Sequence, residues 1–248
     1  MELDMVFRVA ANTTAVSPSF VGGAYGMFHQ DGTTTLTADI SNNSTTAIQV
    51  DSTSGFPSSG YILIENEIIQ YTTTTATTFD GTITRGVLGT TNVAHTAGVA
   101  ITEVQGTGSG STSGTLKFNN TDFSSGVDVD GVDITKVVFS TPGIYNVQIS
   151  GQLLNFTASI DNVTIWFALD GSDIPASASV ISVPAIRGQK PGTAILAVNI
   201  LVSVLVNQYM QIKFATDSGD TVVATYPAGT SPVHPTSPAI ILTAQQLA

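Results

Sequence analysis

Side chains that favour helices are almost missing from this chain. Lys, Arg and Glu together supply eleven of its 248 residues, while Thr alone supplies 36. Long unbranched side chains lose little rotamer freedom in a helix. β-Branched side chains are stiff at χ1 and favour extended backbone. No window repeats apolar residues at i, i+3, i+4 and i+7. Clusters of Gly, Pro, Asn and Asp instead recur about every ten residues, the punctuation of short strands joined by turns. The expected fold class is therefore all-β.

The sharpest internal boundary is the Gly/Ser tract 106–114, GTGSGSTSG. Such a tract has nothing to bury and reads as a linker. Four segments are expected: an extended N-terminal arm over 1–30, a small β module over 31–105, the linker 106–114, and a larger β domain over 115–248. In the module, Ile64-Glu65-Asn66-Glu67 predicts a two-residue hairpin turn made by Asn66 with Glu65 or Glu67. The flanks Ile62, Ile64 and Ile69, Tyr71 would then alternate across the sheet. In the larger domain, Val163–Leu169 ends in the turn dipeptide Asp170-Gly171. Residues 194–206 read as one long strand, with Leu196, Val198, Ile200 and Val202 on one face. About eight antiparallel strands in this domain fit a jelly-roll sandwich.

Charge and composition exclude several roles. The formal charge is −11, from 7 Lys plus Arg against 18 Asp plus Glu. Seven basic residues are too few for a nucleic-acid-binding patch, so no nucleic-acid partner is expected. The chain has no Cys and hence no disulfide scaffold. The apolar stretch 194–206 is shorter than the roughly 20 residues of a membrane span, so no membrane insertion is expected. Met1–Arg8 places two acids before its first base and is not read as a secretory signal. His29, His95 and His234 show no metal-ligand spacing. No serine lies in a nucleophile-elbow pattern. The tract 106–114 lacks the Lys-Ser/Thr of a phosphate loop. Neither enzymatic activity nor a cofactor is expected.

Residues 47–104 resemble a small β module that recurs in bacteriophage virion proteins. The resemblance rests on Phe56-Pro57-Ser58-Ser59-Gly60, Ile64-Glu65-Asn66-Glu67-Ile68-Ile69-Gln70-Tyr71, Arg85-Gly86, Gly89-Thr90, His95 and Gly98. Residues 132–248 resemble TNF-like jelly-roll domains of phage head and tail proteins, through Phe139–Tyr145, Ile149-Ser150, Ile165-Trp166, Asp170–Ser172 and the long strand. The resemblance implies a virion structural protein built as a homotrimer. It would be made in the host cytoplasm and carried on the virion exterior, against major capsid or tail proteins. Phage fibres often carry long repetitive shafts, and this chain has none. That favours a capsid decoration (cement) protein or short head fibre. The alternative is a tail fibre or spike whose jelly-roll tip binds a host surface glycan or receptor.

Specific residues follow from these readings. In a trimer, Leu196, Val198, Ile200 and Val202 would supply the interface, or else the opposite face with Ile195, Ala197 and Leu201. Glycan contacts would come from loops 170–193 and 216–238, with Asp170, Asp173, Tyr226 and His234. Glu67 and Arg85 lie within the matched module segments and are expected to pair, with Arg85 holding the Arg-Gly turn. As an exposed pair they would contribute under about 1 kcal/mol. Asp128, Asp130 and Asp133 form the one candidate metal cluster, because three carboxylates in so short a span could gather around Ca²⁺. Their Asp-Gly sequence equally predicts a plain turn, which is the preferred reading.

Overall fold

The computed structural model describes residues 23–107 and 113–248. These residues form 23 strands and no helix. The strands up to the Gly/Ser tract are β1 (Tyr25–Gln30), β2 (Thr33–Thr35), β3 (Ile48–Gln49), β4 (Gly60–Ile64), β5 (Glu67–Tyr71), β6 (Thr73–Thr74), β7 (Thr78–Asp80), β8 (Thr84–Val87) and β9 (Ala100–Gln105). After it come β10 (Gly114–Thr115), β11 (Asn120–Ser125), β12 (Val127–Val129), β13 (Val137–Phe139), β14 (Gly143–Asn155), β15 (Asp161–Leu169) and β16 (Ser172–Asp173). The remainder are β17 (Ser179–Val183), β18 (Gly192–Val204), β19 (Gln208–Thr216), β20 (Val222–Ala224), β21 (Gly229–Thr230), β22 (Val233–His234) and β23 (Ile240–Gln246).

The all-β expectation holds, and the larger domain is an antiparallel sandwich of jelly-roll type. An 11-stranded sheet runs β11-β1-β23-β14-β20-β9-β4-β5-β8, with β18 on the far side of β14 and β2 on β9. A 7-stranded sheet runs β12-β13-β19-β15-β16, with β17 beside β15 and β10 beside β19. Alternating residues of both sheets fill one core, including Phe139, Tyr145, Val147, Phe167, Ile212 and Leu242. Inward and outward side chains alternate as the pleat requires.

Two turns form as the sequence chemistry dictates. Glu65 and Asn66 make the β4–β5 turn, with Glu65 at φ 54°. Ile62, Ile64, Ile69 and Tyr71 all fall on the buried side of that hairpin. Asp170 and Gly171, at φ 48° and 77°, join β15 to β16. Two positive φ angles in a two-residue loop suit the right-handed twist of the flanking strands.

The arm expectation needs correction at its end. Tyr25–Gln30 is a strand of the sandwich, paired with β11 along its length and with β23 at Gln30. Gly26, Phe28 and Gln30 point inward and are buried. Residues 1–22, and the 108–112 part of the expected linker, lie outside the described residues.

The regions before and after the Gly/Ser tract share one sheet. β20 pairs with β9 through Val223↔Gln105 and Ala224↔Val104. They also share a small core, in which Ile68, Leu88 and Val104 meet Leu154, Phe156, Val222 and Ala224. On the other face of β4 and β5, a separate core of Ile62, Ile64, Ile69, Tyr71 and Phe79 closes against β3, β7 and β6.

Candidate functional site

Glu67 is the centre of the densest polar cluster in the 31–105 region. Its side chain is fully buried at the start of β5. The Arg85 guanidinium grips it with two parallel bonds, Nε to Oε1 at 2.6 Å and Nη2 to Oε2 at 2.7 Å. The Gly86 and Val93 backbone N–H groups each donate to it at 3.0 Å. His95 Nε2 stands 2.8 Å from Oε2, and His95 Nδ1 stands 2.7 Å from the Glu65 carboxylate. Arg85 also donates to the carbonyls of Ser41, Ser44 and Val93. The expected pair is therefore present, but as a buried network rather than an exposed contact. Burial alone would raise the Glu67 carboxyl; Arg85, the Val93 amide and His95 outweigh it and hold the group below its usual range. The cluster ties loops 41–44 and 91–95 to the β5–β8 pair. Every donor it offers is used within the chain, so its chemistry is that of a clamp.

The long hairpin of β14 and β18 presents the second notable surface. The two strands pair along their whole length, from Gly143↔Val204 to Asn155↔Gly192. β18 pairs with no other strand, so its outer edge is free among the described residues. The interface expectation is corrected here. Leu196 and Val202 are buried in the sandwich core, with Val198 and Ile200 packed against it. The opposite face is the open one, with Ile195 69% and Leu201 66% exposed. Three rungs cross it, Ile241↔Ser150↔Ala197, Thr243↔Gln148↔Asn199 and Gln245↔Asn146↔Leu201. None of β14, β18 and β23 carries a charged side chain.

The expected tip residues do not form one site. Asp170 closes the β15–β16 turn and accepts from Gln208 Nε2 and the Tyr209 N–H. Asp173 accepts from Trp166 Nε1 at 2.8 Å and lies 3.7 Å from Lys213 Nζ. Tyr226 packs at the small core shared with the 31–105 region. His234 is exposed on β22, its Nδ1 beside the Pro235 carbonyl. No strand pairing or hydrogen bond links Asp170 and Asp173 to Tyr226 and His234 among the described residues. What sequence reading missed is the outer face of the second sheet. There Trp166 sits directly across from Lys213, and Lys136 stands 4.7 Å over the Tyr209 ring. The signal was present in the alternation of Thr164, Trp166, Lys213 and Tyr209 with buried neighbours.

The Asp128–Asp133 segment folds as turns, with its carboxylates facing the chain itself. Asp130 Oδ1 accepts from the Val132 and Asp133 N–H groups at 2.8 Å, and these bonds hold its carboxyl low. Asp133 caps Thr135 and pairs with Lys136. Asp128 accepts from Ser124. Among the described residues no three metal-ligating side chains gather. No described helix is long and apolar enough to cross a membrane. No known protein family matches the chain, and no curated protein matches it.

Proposed function

We propose that this protein is a non-enzymatic structural component of a phage virion, a homotrimeric decoration (cement) protein or short head fibre on the particle exterior. The virion role rests on the resemblance of residues 47–104 and 132–248, and the observation that supports self-association is the uncharged outer face of β14, β18 and β23. Copies of a chain with charge −11 repel one another over most of their surface. A face without charges, bearing exposed Ile195 and Leu201 among amides, is where they can meet. The free β18 edge adds backbone groups for further pairing. Capsid proteins would be the other partners, and no cofactor enters the role. The test is light scattering after gel filtration. The native chain is expected at three times 25.6 kDa, and Leu201→Lys at the single-chain mass; a native chain at 25.6 kDa overturns the trimer.

A second reading is supported by one different observation. Trp166, with Asp173 and Lys213 beside it, makes an aromatic and polar patch on the outer face of the second sheet. Such a patch suits stacking of a sugar ring. That would place the chain on a tail fibre or spike, in contact with a host surface glycan.

A further inference from the structure

Glu103 is a carboxyl buried where the two halves of the molecule meet. It is 2% exposed, on β9, the strand that joins the 31–105 region to β20 of the sandwich. Its own backbone is held by both regions, its N–H donating to Gly32 O at 2.8 Å and its carbonyl accepting from Thr225 N–H at 3.3 Å. Its Oε2 accepts from Asn119 Nδ2 at 3.1 Å, and the same Asn119 amide donates to the Gly55 carbonyl. Gln105, two residues on, accepts the Lys117 N–H at 2.8 Å and donates to Gln30 and to the Lys117 carbonyl. The end of β1, the 53–57 turn, β9 and residues 117–119 thus meet in one polar cluster, in which Asn119 touches the Glu103 carboxyl and Gln105 holds Gln30 and Lys117.

A cavity of about 90 Å³ opens beside it, lined in part by Tyr61, Glu103, Gln105, Lys117 and Phe214. That volume admits water, which needs polar partners to stay, and Glu103, Gln105 and Lys117 supply them. The charged and titratable groups around Glu103 are Asp31 and Lys117 from the flanking segments and Tyr71 from β5. Lys117 offers a positive charge, against the carboxylate of Asp31, which is itself paired with His29. An ionised Glu103 is therefore poorly compensated where it lies.

We propose that Glu103 is a proton-controlled latch on this seam: neutral, it lets the 31–105 region close against the sandwich, and ionised, it draws water into the cavity and loosens β9 and residues 114–119. The titration range agrees with that geometry. Burial pushes the carboxyl up to about 8; the Gln30 amide and the Lys117 cation pull the other way, and Asp31 adds to the rise. The unfolded chain loses this proton near the ordinary carboxyl value, so the folded chain holds the extra proton between there and about 8. Stability then falls as pH rises through that window and levels off above it.

The test compares the full native chain with Glu103→Gln, which keeps the shape of the neutral acid. Amide-exchange protection factors, corrected for intrinsic rate, are measured at about pH 6 and about pH 9, on either side of the expected transition. In the native chain, protection of β9 and 114–119 is expected to drop by about tenfold or more, while the middle of β14 changes less. In Glu103→Gln the drop is expected to vanish. A native chain without the drop, or a variant with the same drop, overturns the proposal. A carbon-13 titration of the Glu103 carboxyl with its midpoint in the ordinary carboxyl range overturns it as well.

Discussion

At the scale of single residues, the stability of the 31–105 region turns on Glu67. Five donors converge on a carboxylate that water does not reach. Removing one side of such a pair strands the other in a dry site, which typically costs about 3–5 kcal/mol. Glu67→Gln and Arg85→Met are each expected to destabilise by that order in urea unfolding. The double variant is expected to lose clearly less than the two losses added together. The pH dependence has the opposite sign to that of Glu103. Glu67 is held below its usual range, so its contribution is present above the ordinary carboxyl value and lost as pH falls through the folded value. The urea midpoint of the native chain is expected to fall in acid, and that of Glu67→Gln to fall less. The sequence made the pair legible through two charges in one module. It did not show burial, because the loops that cover the pair, 41–44 and 91–95, carry no periodic signal. Nor did a lone His95 reveal that both its ring nitrogens would face carboxylates.

At the scale of elements, β18 shows what alternation can and cannot tell. A period of two marked the strand correctly. It could not choose the inner face, because Leu196, Val198 and Ile200 alternate with Ile195, Ala197 and Leu201, and both sets are largely apolar. The choice comes from the facing sheet, which only the fold supplies. Leu196→Ala is expected to lower stability by about 2–5 kcal/mol, through lost burial and the cavity left behind. Leu201→Lys is expected to leave the stability of the single folded chain within about 0.5 kcal/mol while abolishing association. Chemical denaturation at low protein concentration separates the two. β1 escaped the sequence for a related reason. Tyr25–Gln30 holds only one large buried apolar side chain, Phe28, and gains its place by pairing with β11 and β23. Tertiary pairing overrides weak local preference here.

At the scale of the whole molecule, two regions that look separable in composition are continuous in structure. The Gly/Ser tract breaks the chain's patterning but not its sheet, since β20 and β9 carry the ladder across. The shared core of Ile68, Leu88, Leu154 and Val222 makes the seam a packed contact. Glu103 sits on that seam, which is why a single proton could reach both halves. The low charge of the chain also takes on a location. Uncharged strands gather on one outer face, while Asp170, Asp173, Lys136 and Lys213 lie on the second sheet and its turns. One face suits copies of the chain and the other suits water or a ligand. A decoration protein stands on the outside of its particle. Electron microscopy of intact virions labelled with an antibody to this chain tests that directly. Label is expected on the outer surface of the head, and is expected to be lost when the gene is deleted. Label on the tail tip would favour the spike reading, and intact particles that take no label would contradict the account.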